Sequence, residues 1–124
     1  MMWLLIGAGG ALGAMARHAV NSLVQSRYGA DPFPAGVLVV NVLGCLAAGL
    51  LAGVIATGRT PVPLEVRMFV LVGLLGGFTT FSAFGLDTFT LLHTGHYATA
   101  AWNVLSQVAL TLAAVWVGFA LAQL

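Results

Sequence analysis

Charge is what this chain has least of. Asp, Glu, Lys and Arg make up 6% of its 124 residues, against about 25% in a soluble domain. So few ionic groups cannot cover a globule in water. Lysine is absent, and the basic residues are Arg17, Arg27, Arg59 and Arg67. With a formal net charge of +1 and no basic run, there is no footprint for phosphates, which excludes nucleic acid as a partner. The acids are Asp31, Glu65 and Asp87. The single cysteine, Cys45, rules out an intrachain disulfide. Metal-binding and dinucleotide motifs are missing too: there is no H-E-x-x-H, no GxGxxG opening a βαβ unit and no Cys/His cluster. No Asp or Glu lies within the apolar runs 3–25, 34–57 and 97–122. That argues against a proton-coupled multidrug carrier or a proton-driven rotor subunit, both of which need a central acid.

What fills the chain is apolar. Hydrophobic residues are 60% of it, and the mean hydropathy is +1.05. A bilayer crossing takes about 20 mostly apolar residues. Four segments meet that length, near residues 3–25, 34–57, 64–92 and 97–122. The expected fold is an all-α integral membrane domain of four transmembrane helices. Ala14-Met15-Ala16 has the look of a signal-peptase site, but no basic n-region precedes it, so the first segment stays a helix. Trp3, Tyr97 and Trp102 fall near segment ends, where amphipathic rings favour the interface. Gly9/Gly13, Gly49/Gly53 and Gly73/Gly77 are each spaced for close helix approach.

The arginines give almost no orientation signal. Four helices place Arg59 and Arg67 on one side and Arg17 and Arg27 toward the other, two against two. Such a chain can insert both ways, and oppositely inserted copies can pair about an axis in the membrane plane.

Helix 3 is the most informative segment. It reads Gly76-Gly77-Phe78-Thr79-Thr80-Phe81-Ser82-Ala83-Phe84. Glycines followed by two threonines make a poor helix interior. A break, with backbone groups satisfied by protein, water or an ion, fits this run. A kinked continuous helix with hydroxyls bonded to the preceding turn fits it equally. Phe81 and Phe84 share a helix face, either as ordinary apolar packing or as electropositive ring edges turned to an anion. Asn41 lies mid-membrane on a small-residue face with Gly44, Cys45, Ala48 and Ala52. It is either an interhelical hydrogen bond or a donor to a permeating anion. Asn103, Gln107 and Thr111 form a polar stripe that suits water or helix glue. Arg17 stands about 5 Å from the centre of its segment. An intramembrane arginine faces a wet cavity or a partner, and Asp87 is a candidate partner.

Three stretches together resemble the small bacterial fluoride channels, Fluc or CrcB. These are Gly9-Gly10-Ala11-Leu12-Gly13-Ala14-Met15-Ala16-Arg17-His18, Val39-Val40-Asn41-Val42-Leu43-Gly44, and Gly76 to Phe84. The resemblance implies a dual-topology, antiparallel homodimer in the bacterial inner membrane that exports fluoride passively. A small dual-topology transporter is the alternative. The resemblance further implies a pore lined by Asn41, Phe81, Phe84 and Ser82, with Gln107 and Thr111 from helix 4. It implies a vestibule or structural charge at Arg17 and Asp87. It also implies a structural Na⁺ held by the backbone carbonyls of Gly76 and Thr79 from two copies. Ala83, Asp87, Asn103 and Gln107 depart from the familiar pattern, where threonine, glutamate, tyrosine and serine are expected.

Overall fold

The computed structural model describes residues Met1–Leu124. The chain is entirely helical: α1 (Met2–Tyr28), α2 (Ala35–Thr57), α3 (64–78), α4 (Phe81–His93) and α5 (Tyr97–Leu121). Within α3, Leu64–Arg67 and Gly76–Phe78 are α-helical and Met68–Leu75 winds as a π-helix. Three segments are long and apolar enough to cross a bilayer: Ala35–Thr57, Leu64–His93 and Tyr97–Leu121, with mean hydropathies of 2.4, 1.8 and 2.0. The fourth helix, α1, has 27 residues, about 40 Å at 1.5 Å per residue.

α1 runs past Gln25 to Tyr28 because its last polar residues are used rather than shed. Gln25 Nε2 donates to Phe33 O (3.3 Å), and Gln25 Oε1 accepts from Gly36 N (3.3 Å). Asp31 Oδ1 accepts from Phe33 N at 2.8 Å, an Asx turn that reverses the chain into α2. Pro34 stands one residue before α2, at its N-cap. α2 ends at Gly58, whose φ of 62° is the left-handed cap that only glycine adopts without strain.

The glycines select the helix pairs. A Cβ on Gly9 would sit 2.7 Å from Phe69 O, and one on Gly73 would sit 2.8 Å from Ile6 O. Gly13 and Gly77 meet the backbones of Leu74 and Gly10 just as closely. These four glycines bring α1 and α3 into backbone contact. Gly49, Gly53 and Gly118 do the same for α2 and α5, the most extensive pairing in the molecule. Close approach of this kind replaces the hydrophobic driving force that lipid does not supply. α4 is held sparsely, mainly by α5, and it leaves Phe81, Leu86 and Phe89 on an open face.

Candidate functional site

The helix between residues 64 and 93 is broken rather than kinked. Thr79 (φ −79°, ψ 157°) and Thr80 (φ −151°, ψ 117°) are extended. Thr79 Oγ1 bonds back to Leu75 O at 3.0 Å, which closes α3. Thr80 Oγ1 accepts from Ala83 N at 3.2 Å, an N-cap that starts α4. A hydroxyl residue three positions before a free helical N–H is a cap signature readable in the sequence, and it marks Thr80 as a site residue that sequence reasoning passed over.

Asn41 splices this break from α2. Thr80 N donates to Asn41 Oδ1 at 2.8 Å, and Asn41 Nδ2 donates back to Thr80 O at 3.1 Å. One side-chain amide thus serves both backbone groups of an extended residue. The second Nδ2 proton goes to Gln107 Oε1 at 3.1 Å. Each orientation forces the next. The Thr80 N–H needs an acceptor, which fixes Asn41. The Asn41 amide then needs an acceptor, which turns Gln107 Oε1 toward it. Gln107 Nε2 is left buried with no partner.

That amide stands in the wall of a cavity of about 240 Å³. Asn41, Thr79, Thr80, Phe81, Phe84, Gln107 and Thr111 meet there, with Cys45 and Val108. The Phe81 and Phe84 ring centroids are 5.3 Å apart and the rings are tilted by 59° rather than stacked. Most of the residues expected to line a pore therefore converge. Ser82 does not reach this wall; its hydroxyl bonds Thr80 Oγ1 at 3.2 Å.

A second cavity of about 230 Å³ is lined by Arg17, His18, Asn21 and Thr80, with apolar Ala14, Val37, Val40 and Ala83. Thr80 belongs to both cavities. Asp87 lines neither. It borders a third cavity with Asn21, Gln25, Pro32, Pro34 and Val37, so Arg17 and Asp87 open onto different spaces, with Asn21 and Val37 common to both.

The polar stripe of α5 divides its work. Asn103 is fully buried, and its Nδ2 donates to Thr88 Oγ1 at 3.0 Å. Thr88 Oγ1 in turn donates to Phe84 O at 2.7 Å. Asn103 ties α5 to the helix that carries Phe84, a role shared by Thr88, which the stripe's spacing did not reveal. Gln107 reaches α2 and the first cavity, and Thr111 bonds its own helix at Gln107 O.

No cluster of His, Cys, Asp or Glu has the proximity a metal ion needs. The carbonyl donors at the break are another matter. In a continuous helix Thr80 N–H would bond Gly76 O; here it is turned to Asn41. The Thr79 carbonyl takes no backbone donor. Gly76 lies on the exposed side of the chain.

Residues 4–119 match the family described as CrcB-like protein, Camphor Resistance (CrcB). Among curated proteins, the Fluoride-specific ion channel FluC of Paracoccus denitrificans is 50% identical over 118 residues, covering 94% of this chain and 90% of that protein. The protein of the same name from Opitutus terrae is 47% identical over 118 residues, 94% of this chain and 89% of that protein. The one from Methylobacillus flagellatus is 41% identical over 122 residues, 98% and 94%. The agreement runs from the α1 glycines through the α3 break to α5, and the chain belongs to the CrcB family.

Proposed function

We propose that the protein is a passive fluoride channel of the bacterial cytoplasmic membrane and that Gln107 Nε2 is its principal donor to the ion. The observation that carries this reading is the unpartnered Gln107 amide at a cavity edged by Phe81 and Phe84. A buried donor without an acceptor costs about 1–3 kcal/mol, and an anion in the cavity removes that cost. Moving a small anion into an unrelieved apolar site costs tens of kcal/mol. The N–H bond and the positive ring edges return part of that without a fixed cation to trap the ion. Both Nδ2 protons of Asn41 are directed at protein acceptors. Asn41 therefore acts on the ion by orienting Gln107 and holding Thr80. Such a pore lets F⁻ that accumulated as HF in an acid medium leave down its gradient. Fluoride efflux from liposomes containing the pure protein, with no proton gradient imposed, tests the reading. Efflux that requires a proton gradient would replace the channel with a coupled carrier.

The pore-bearing unit in this reading is an antiparallel homodimer surrounded by lipid. Its support is the balance of arginines and the open face of α4, where Phe81 is 83% exposed and walls one side of its cavity. A cysteine placed in the His93–His96 turn is expected to react with impermeant reagent from both sides of the membrane. Labelling from a single side in active protein would defeat the dual topology.

The carbonyls of Gly76 and Thr79 suit a structural Na⁺ between two copies, since the break takes Thr80 N–H away from Gly76 and leaves Thr79 without a backbone donor. Such an ion supplies positive charge on the dimer axis. A Cβ on Gly76 meets only Leu71 O, at 3.7 Å, within its own chain. Gly76→Val is therefore expected to fold as a single chain and to lose dimer on sizing in detergent. Full dimer with normal flux would remove Gly76 from the interface.

A further inference from the structure

α2 brings a thiol to the cavity that holds the phenyl rings. Cys45 stands four residues after Asn41, one helical turn further along the same face. It lines the cavity of about 240 Å³ together with Phe81, Phe84, Gln107 and Thr111. It is the single cysteine of the chain, and its thiol is free. Fluoride conduction gives it no task. A thiol is a poor partner for hard ions such as F⁻ and Na⁺ and a strong ligand for soft metals. A cysteine alone does not make a site, and the second element comes from α5. Gln107 is 5% exposed, lines the same cavity and keeps Nε2 without a partner. The wall therefore offers one soft ligand and one free hydrogen-bond donor.

We propose that Cys45 makes this cavity a site for a soft, two-coordinate metal ion such as Hg(II), and that the occupied site obstructs the pore. The obstruction rests on the channel reading above. With mercuric chloride, an S–Hg bond forms as the S–H bond and one Hg–Cl bond break. A proton and a chloride ion leave, and no electron changes hands. The chloride that stays on mercury is an acceptor, which suits the free Gln107 amide. The space is sufficient: about 240 Å³ is several times the roughly 30 Å³ that a water takes in the liquid. The reagent needs no aqueous path, because HgCl₂ is neutral and crosses lipid. Once attached, it occupies volume beside the two phenyl rings that fluoride has to pass. The other candidate ligands, Met1, Met2, Met15, Met68, His18, His93 and His96, do not line this cavity.

The test is fluoride efflux from liposomes before and after HgCl₂, each protein being compared with its own untreated rate. Wild type is expected to slow about tenfold once mercury exceeds its dissociation constant about tenfold, by mass action. Excess dithiothreitol, whose thiolates compete for the metal, is expected to restore the rate. Cys45→Ala is expected to keep its own rate when mercury is added, and Cys45→Ser serves in its place if the alanine variant does not assemble. Undiminished wild-type efflux, or equal slowing of the cysteine-free variant, overturns the proposal. Sizing of treated protein separates obstruction from dissociation: the dimer is expected to persist, and its loss on adding mercury overturns obstruction of the pore. An anomalous-scattering map of the mercury derivative locates the metal without reference to flux. Mercury beside Phe84 and Gln107 supports the site, and mercury on the lipid side of α2 refutes it. No efflux from untreated wild type defeats the channel reading and the obstruction with it, while the map still decides the metal site.

Discussion

Asn41→Asp is expected to reduce fluoride efflux by about 100-fold or more, equivalent to about 3 kcal/mol at the rate-limiting step. The substitution changes one NH₂ to an oxygen, with almost no change in shape. It removes the two donated bonds that organise the break, those to Thr80 O and to Gln107 Oε1. Two acceptors then face an acceptor inside a buried cluster, where each unmet group costs about 1–3 kcal/mol. Gln107 can relieve its share by turning Nε2 toward the new carboxylate. That rotation takes the only free donor away from the cavity, so the repair itself closes the site. A carboxylate in a low-dielectric passage also repels the ion. Asn41→Leu tests the splice without the charge. It is expected to release Thr80 N–H, seen as faster amide exchange at Thr80, and to reduce flux less than Asn41→Asp. Equal flux in wild type and Asn41→Asp, with intact dimers, would show that neither the orientation chain nor the charge matters.

Much of this arrangement is legible in the chain, and the reasons differ by element. The break could be narrowed to Gly76–Thr80 because glycine and β-branched threonine oppose a helix interior by their own conformational preferences. Whether it broke or kinked depended on a partner for Thr80 N–H, and that partner lies 39 residues away in α2. Asn41 was readable as a mid-membrane amide needing a bond. Spacing on α2 gave its direction but not the atom it would meet. The α5 stripe shows the limit more sharply. Asn103 and Gln107 look equivalent by spacing, yet Asn103 bonds Thr88 on α4 and keeps an unpartnered acceptor, while Gln107 bonds Asn41 on α2 and keeps an unpartnered donor beside the cavity. The difference comes from where α4 and α2 happen to present oxygen, a property of packing. The π-helical turn at Met68–Leu75 left no trace in composition. It winds against the α1 glycines. Arg17 and Asp87 have opposite charge and compatible depth, but depth along the membrane does not say which cavity a side chain enters.

The phenylalanines offer the cleanest separation of packing from electrostatics. Phe81 is 83% exposed in the single chain, so trimming its ring removes little contact within the protomer. Leucine keeps most apolar volume but has no electropositive edge. If the rings are only filler, Phe81→Leu is nearly silent, and Phe84→Leu costs a little packing in a half-buried position. If ring edges replace fluoride's water, both variants lose flux while the protein stays assembled. Taking each edge as worth about 1 kcal/mol, in line with other quadrupole contacts, the double variant loses about 2 kcal/mol, or roughly 30-fold in rate. Methionine refines the test, since its polarizable thioether fills similar space and carries electropositive regions on sulfur. Phe84→Met is expected to recover part of the flux that Phe84→Leu loses. The measurement is fluoride efflux from liposomes, with sizing of each variant before reconstitution. The expected order is wild type, then Phe84→Met, then Phe84→Leu, then Phe81→Leu with Phe84→Leu. Normal flux through the double variant would leave the Gln107 donor in place and remove the ring edges from the mechanism. The tilt of 59° between the rings would then be nothing more than how two aromatic side chains pack.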